Sequence, residues 1–94
     1  MGSLAEAVKQ ACDLLHVYGN SATCPRLEAL VERLRSDDNN AIVSVISEAT
    51  GGAGSLNDQT LYPAAADDRL RRAIKEVEEL ARSIARERGI ALIR

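Results

Sequence analysis

The sequence predicts an all-α domain: a small four-helix bundle with a long, ordered, glycine-rich loop between its third and fourth helices. Three observations predict this fold. Apolar residues recur at steps of three and four along four stretches, the period of a helix buried on one side. Phe and Trp are absent, so Leu, Ile, Val and Ala must form the core, and such side chains suit helix-on-helix packing. Capping and turn residues separate the four stretches.

The first helix is predicted over residues 3–18. Ser3 and Glu6 form a capping-box pattern, in which each side chain accepts a backbone N–H at the helix start. Gly19 and Asn20 tolerate positive φ and are expected to end the helix. Its predicted buried stripe comprises Leu4, Val8, Ala11, Leu15 and Tyr18.

The second helix is predicted over residues 25–35. Thr23 is a candidate cap, and Pro25 fits the first turn, where a missing N–H does no harm. Its predicted buried stripe comprises Leu27, Leu30, Val31 and Leu34.

The third helix is predicted over residues 39–50, after a turn and N-cap supplied by residues 36–40. Its β-branched content leaves a strand as an alternative. A helical stripe and a cap agree here and no partner strand is visible, so we favour the helix. The predicted inward residues are Ile42, Val45, Ile46 and Ala49.

A connection follows over residues 51–66. It has three glycines in four residues, which cannot continue a helix cheaply. Gly51 is expected to end the third helix in the left-handed conformation, and Gly52 and Gly54 to allow close backbone approach. Short polar side chains are expected to hold the turn by bonding nearby backbone N–H groups; they are Ser55, Asn57 and Asp58. Apolar residues are expected to pack back onto the bundle; they are Leu56, Leu61 and Tyr62.

The fourth helix is predicted over residues 67–88, from the carboxylates of Asp67 and Asp68 to Gly89. The apolar tail 90–93 is expected to pack on the bundle or to contribute to a dimer seam. The predicted stripe comprises Leu70, Ile74, Val77, Leu80, Ala81 and Ile84. Ion pairs one turn apart are predicted between Arg72 and Glu76, Lys75 and Glu79, and Glu78 and Arg82.

Net charge is −2, and the charge is uneven. Residues 1–66 carry four basic and eight acidic side chains, and residues 67–94 carry eight basic and six acidic ones. The overall acidity argues against nucleic acid as a partner, although four basic residues between positions 69 and 75 leave a DNA-binding helix as a minor alternative. The sequence shows no membrane-length apolar run and no signal peptide, so a cytoplasmic protein is expected.

The residues that could bind a cofactor or metal, or act as catalysts, are better explained by structural roles. The glycine segment lacks the lysine and the preceding strand of a phosphate-binding loop, so no nucleotide or other cofactor is predicted. Cys12 is expected to be a small core residue, and neither it nor Cys24 has a predicted base beside it. His16 lacks the partners of a metal site. We therefore predict no catalytic, cofactor-binding or metal-binding residues and no enzymatic activity.

The segment Gly51–Asp58, G-G-A-G-S-L-N-D, resembles the G-G-x-G-S-x-N-D signature of a family of small bacterial proteins. The third position is often Met in that family, and Ala53 departs from it. A tryptophan-containing stretch usual in the second helix is also absent. Members resemble small acidic proteins encoded beside toxins, so the resemblance implies an immunity or antitoxin-like role.

An acidic protein of this kind would bind a basic toxin domain and need no chemistry of its own. The sequence therefore predicts a protein-binding inhibitor whose contact surface is the 51–62 loop with nearby acidic residues. The alternative is a structural or regulatory subunit that homodimerises through the fourth helix and the tail. The predicted partner-binding residues are Asp37, Asp38, Glu48, Ser55, Asn57, Asp58 and Tyr62.

Overall fold

The computed structural model describes residues 3–18, 21–51 and 55–90. Its helices are α1 (Leu4–Tyr18), α2 (Cys24–Arg35), α3 (Asn39–Thr50) and α4 (Ala64–Arg88). Two short 3₁₀ turns, Ser21–Thr23 and Leu56–Asp58, precede α2 and follow α3. The described residues contain no strand, so the predicted all-α bundle is confirmed and residues 39–50 form a helix rather than the alternative strand.

The longest helix, α4, is the centre of the packing. It contacts both α1 and α3, while α2 closes the bundle against α1 and α3. Helix α1 runs antiparallel to α4, since Leu4 lies near Ile84 whereas Val17 lies near Arg69. In the described ranges, no helix has both the length and the apolar character needed to cross a membrane.

Leucine, valine, isoleucine and alanine side chains fill the core, as the composition predicts. Several small residues are among the most deeply buried: Ala11, Ala41 and Ala81 are fully buried. Alanine at these positions allows helix backbones to approach closely. Leu34, Leu80 and Ile84 are only partly buried at the edge of the core. The largest fully buried side chains are Leu15, Leu27, Leu56 and Leu70.

Three helix ends follow the predicted capping chemistry. The Ser3 hydroxyl accepts the Glu6 N–H at 3.1 Å, the forward half of the capping box. Asp38 caps α3 by accepting the Asn40 N–H at 2.9 Å. Gly89 has φ 65° and ends α4, and the Ile90 N–H reaches the Ala85 carbonyl at 2.9 Å.

The start of α4 differs from the prediction. The helix begins at Ala64, three residues earlier than expected, because an alanine run is a strong helix former. Pro63 occupies the N-cap position and its side chain offers no cap. Asp67 therefore lies inside the first turn, and its carboxylate accepts the Leu61 N–H at 3.0 Å instead. The connection between α3 and α4 is correspondingly shorter.

Thr23, the predicted cap of α2, lies at the N-cap position but does not cap the helix with its side chain. Thr23 holds the N-cap position with a helical backbone and its side chain makes no cap hydrogen bond. The reason is that Thr23 already belongs to the preceding 3₁₀ turn. The predicted burial of Tyr18 is wrong as well: its side chain is 39% exposed, because it is the last residue of α1.

Of the three ion pairs predicted on α4, only Glu78–Arg82 forms, at 2.8 Å. Arg72–Glu76 and Lys75–Glu79 do not form, as these long exposed side chains gain little from pairing in water. Ile90 packs against the core as part of the tail. The expected roles of Gly19, Asn20, Gly52, Gly54 and residues 91–93 lie outside the described residues.

Gly51 is needed for a different reason from the one predicted. Its backbone is extended, with φ −77° and ψ −178°, so the left-handed end predicted for α3 is wrong. A Cβ atom at this position would lie 2.4 Å from the Ser47 carbonyl oxygen, which belongs to the last turn of α3. A side chain here therefore requires the backbone to shift.

We expect Gly51→Ala to lower the free energy of unfolding by about 1–3 kcal/mol, because the added methyl group overpacks the end of α3. Chemical denaturation measures this loss. Gly89→Asn is the control: nothing lies within 4 Å of a Cβ there, and Asn tolerates the left-handed conformation. A Gly51→Ala variant as stable as the control would contradict the steric explanation.

Candidate functional site

The segment 55–63, which we call the anchored loop, packs back onto the bundle between α3 and α4. Leu56 is fully buried and Leu61 is 5% exposed, so their predicted packing is confirmed. Tyr62, predicted to pack as well, is 87% exposed. Adjacent side chains of a non-helical segment point to different sides, so burial of Leu61 turns Tyr62 outward.

Glu48 fixes the beginning of the anchored loop. Its carboxylate is 14% exposed and accepts hydrogen bonds from the Arg26 guanidinium at 2.6 and 3.1 Å. It also accepts the Leu56 N–H at 2.9 Å. One side chain of α3 thus joins α2 to the loop. The hydrogen bond that Arg26 donates to Glu48 raises the pKa of Arg26.

Arg71 fixes the middle of the anchored loop. One terminal nitrogen donates to the Asn57 carbonyl at 2.9 Å, and the other donates to the Gln59 carbonyl. Asp67, one turn earlier on α4, holds the Leu61 N–H and lies 3.8 Å from Arg71. Two side chains of α4 therefore satisfy three backbone groups of a segment that has almost no regular structure.

The side chains of Ser55 and Asn57 contribute less to this loop than expected. The 3₁₀ turn closes through backbone bonds, from the Asp58 N–H to Ser55 and from the Gln59 N–H to Leu56. The Ser55 hydroxyl is buried without a partner among the described residues. The Asn57 side chain makes only a 3.5 Å contact with Arg71. Longer side chains on the helices hold the loop because they reach its backbone from a rigid base.

Sequence reasoning missed Arg26 and Arg71. The spacing of Asp67 and Arg71, one helical turn apart, is a signal that could have identified Arg71. No local signal connects Arg26 with Glu48, which are 22 residues apart and meet only because α2 packs on α3.

Asp37 and Asp38 lie at the opposite end of α3. Asp37 has φ 63° and pairs with Arg88 of α4. Asp38 caps α3 and pairs with Arg33 at 2.9 Å, and these bonds hold its pKa below the usual value. Twelve residues of helix, roughly 18 Å at 1.5 Å per residue, separate these aspartates from the anchored loop.

The predicted partner-binding residues therefore form two groups. Glu48, Ser55, Asn57, Asp58 and Tyr62 lie together at the loop end. Asp37 and Asp38 lie at the other end. Within the loop group, Asn57, Asp58 and Tyr62 are exposed, whereas Glu48 and Ser55 are largely covered.

The two cysteines lie in the core, as predicted for Cys12. The Cys24 thiol donates to the Cys12 carbonyl at 3.6 Å, and both side chains are at most 2% exposed. Burial raises the pKa of Cys12 to about 12, with smaller contributions from nearby Cys24 and Glu28. His16 lies 3.7 Å from Glu28 on the surface. The described residues contain no group of three or more metal-ligating side chains.

A groove of about 450 Å³ runs between α1 and α4. Leu14, Val17 and Ala73 give it an apolar floor, and Val17 is 71% exposed. Arg69 and Arg72 line the end near Val17, while Glu76 lies further along α4.

No known protein family, curated protein or solved structure matches this chain. Its function must therefore be argued from its own residues. The glycine-rich signature includes residues 52–54, which lie outside the described ranges.

We expect Glu48→Ala to lower the free energy of unfolding by about 1–3 kcal/mol, because Arg26 and the Leu56 N–H lose a charged acceptor. Glu48→Gln keeps an acceptor for the loop and removes the charge, so it should lose less. Chemical denaturation compares the two variants. Equal stability of Glu48→Ala and the wild type would show that the loop does not depend on this side chain.

Asp38 should make stability depend on pH. Its pKa is lowered in the folded state by Arg33 and by the Asn40 N–H, so in acid the unfolded chain binds the proton more readily. The stabilisation is present above the unfolded pKa of about 3.9 and is lost as the pH falls through the folded pKa. Melting temperatures across this range should fall more steeply for the wild type than for Asp38→Asn. Parallel curves would contradict this assignment.

Proposed function

We propose that this chain is a protein-binding inhibitor, an immunity or antitoxin-like protein that neutralises a bacterial toxin domain in the cytoplasm. The observation that carries the binding proposal is Tyr62, which is 87% exposed beside the buried Leu61. Tyrosine is among the residues that contribute most at protein interfaces, because its large ring buries much apolar surface while its hydroxyl forms hydrogen bonds.

The anchoring of the loop supports a role in binding. Glu48, Arg71 and Asp67 hold its backbone at three places, and Leu56 and Leu61 are buried beneath it. A segment already fixed before binding loses little conformational entropy when a partner arrives. Tyr62 is thus presented from a rigid base.

The exposed polar groups beside Tyr62 define the rest of the proposed surface. Asn57 and Asp58 are exposed on the 3₁₀ turn. The carboxylates of Glu48 and Asp67 accept backbone hydrogen bonds of the loop, so we assign them to its support. The contact surface that we propose is therefore residues 57–62 rather than the whole set predicted from sequence.

The choice of a toxin as the partner rests on two features of the sequence. Residues 1–66 carry eight acidic and four basic side chains, and acidic proteins associate rapidly with basic domains such as nucleases. The G-G-A-G-S-L-N-D segment resembles the signature of small proteins encoded beside toxins. An inhibitor of this kind acts by covering its partner and needs no catalytic group.

The test is co-expression with the toxin domain encoded by the neighbouring gene, followed by a binding measurement with the purified proteins. We expect the wild type to restore growth, and Tyr62→Ala to weaken binding by about 10- to 100-fold while its melting temperature stays unchanged. The combined Asn57→Ala and Asp58→Ala variant should weaken binding in the same way. Val43→Ala, which trims another exposed apolar residue, is the matched control.

Two results would contradict the proposal. One is a neighbouring gene for a metabolic enzyme with no toxin domain in the operon. The other is a toxin domain that kills equally well in the presence of the wild-type chain. Loss of binding accompanied by loss of stability would instead assign Asn57 and Asp58 to the support of the loop.

A further inference from the structure

Between positions 68 and 79, α4 has six exposed charged side chains, and four of them lie in an ordered stripe. Arg69, Arg72, Glu76 and Glu79 follow one another at steps of three, four and three. At 3.6 residues per turn these steps keep the four within an arc of roughly 80° over about 15 Å of helix. We call them the α4 charge stripe. All four side chains are exposed.

None of these four side chains forms an ion pair with any part of the chain that the structure describes. Elsewhere on α4, Glu78 pairs with Arg82 and Asp67 lies 3.8 Å from Arg71. The stripe therefore presents two positive charges followed by two negative charges to the solvent.

The order of the charges is symmetric about one point. Arg72 and Glu76 lie two residues on either side of Ile74, and Arg69 and Glu79 lie five residues on either side. A two-fold axis perpendicular to α4 at this level exchanges each arginine position with a glutamate position. A second α4, running antiparallel, would thus place Arg72 opposite Glu76 and Arg69 opposite Glu79, twice each.

We propose that the chain forms an antiparallel two-fold dimer in which the α4 charge stripe of one copy meets that of the other. A two-fold interface uses the same patch on both subunits, so that patch must be complementary to itself. The α4 charge stripe has this property, whereas a stripe of one sign, or one with like charges at both ends and the opposite charge at both middle positions, would place like charges together.

The groove beside the stripe supplies apolar contact for the same interface. Leu14 and Val17 of α1 and Ala73 of α4 form its floor, directly next to Arg69 and Arg72. Val17 is 71% exposed, and the small Ala73 allows another helix to come close. A stable interface buries about 1,200–2,000 Å² in total, more than one helix face offers, so the α1 wall belongs to it.

The charges and the apolar groove have different roles in this interface. Exposed ion pairs add little affinity, but they oppose wrong registers and orientations by placing like charges together. The apolar floor supplies the association itself. This surface is separate from Tyr62 and the anchored loop, so the dimer and the proposed inhibitor function can be tested independently.

The experiment is analytical ultracentrifugation of the full chain over a range of concentrations at low and high salt. We expect the wild type to dimerise reversibly and more weakly at high salt. Two variants are decisive: Arg69→Glu with Arg72→Glu makes the stripe entirely acidic, and Glu76→Arg with Glu79→Arg makes it entirely basic. Each alone should be monomeric, with the dissociation constant raised at least about tenfold.

An equimolar mixture of the two variants should form a heterodimer, because an acidic stripe then faces a basic one. Recovery in the mixture also shows that each variant is folded. Arg35→Glu is the control, since it reverses a basic side chain on α2, outside both the groove and the α4 charge stripe, and should leave the dimer intact.

Three outcomes would overturn the proposal. The wild type could remain monomeric up to about 1 mM, which would leave a different protein as the only occupant of the groove. The wild type could dimerise with no response to either reversal. The mixed variants could fail to associate while the wild type dimerises.

Discussion

Burial of one face of α4 is the interaction on which the rest of the molecule depends. Helix α4 contacts both α1 and α3, and no large aromatic side chain fills gaps in the core. Close contact between helices must therefore supply most of the apolar burial, and fully buried alanines such as Ala11, Ala41 and Ala81 favour it. The residues buried on this face are Ala66, Leu70, Ile74, Val77, Ala81 and Ala85.

Because packing against the core fixes the orientation of α4, the side chains on its other faces have defined positions. Asp67 and Arg71 lie beside the buried face, where they reach the backbone of the preceding loop. The exposed side of the helix includes Arg69, Arg72, Glu76 and Glu79, whose side chains lie in solvent. A single helix thus completes the core, supports the loop and presents a charged surface. The two proposed binding surfaces are held by the same element.

The anchored loop illustrates how a connection becomes a rigid surface without regular structure. Its backbone groups need hydrogen-bond partners once Leu56 and Leu61 are buried. Glu48 and Arg71 supply them from two different helices. The hydrogen bonds of the loop backbone and the start of α4 fix the chain before and after Tyr62. The Tyr62 side chain therefore stays exposed to solvent. Stability of the loop and exposure of the tyrosine therefore have a common cause.

The sequence alone determined the helices. The apolar period and the caps placed α1 and α3 almost to the residue, and Gly89 marked the end of α4. These signals are local: a helix end depends on hydrogen bonds within a few residues. The start of α4 was misplaced because Asp67 looked like a local cap, while its carboxylate bonds to Leu61 instead.

Tertiary structure alone decided which predicted residues meet. The sequence predicts Glu48 as a partner-binding residue, and only the packing of α2 on α3 brings Arg26 to it. The seven predicted contact residues divide between the two ends of α3, because this helix of twelve residues lies between them. Side-chain partners distant in the sequence depend on helix packing. That packing is a property of the whole chain, and no local pattern encodes it.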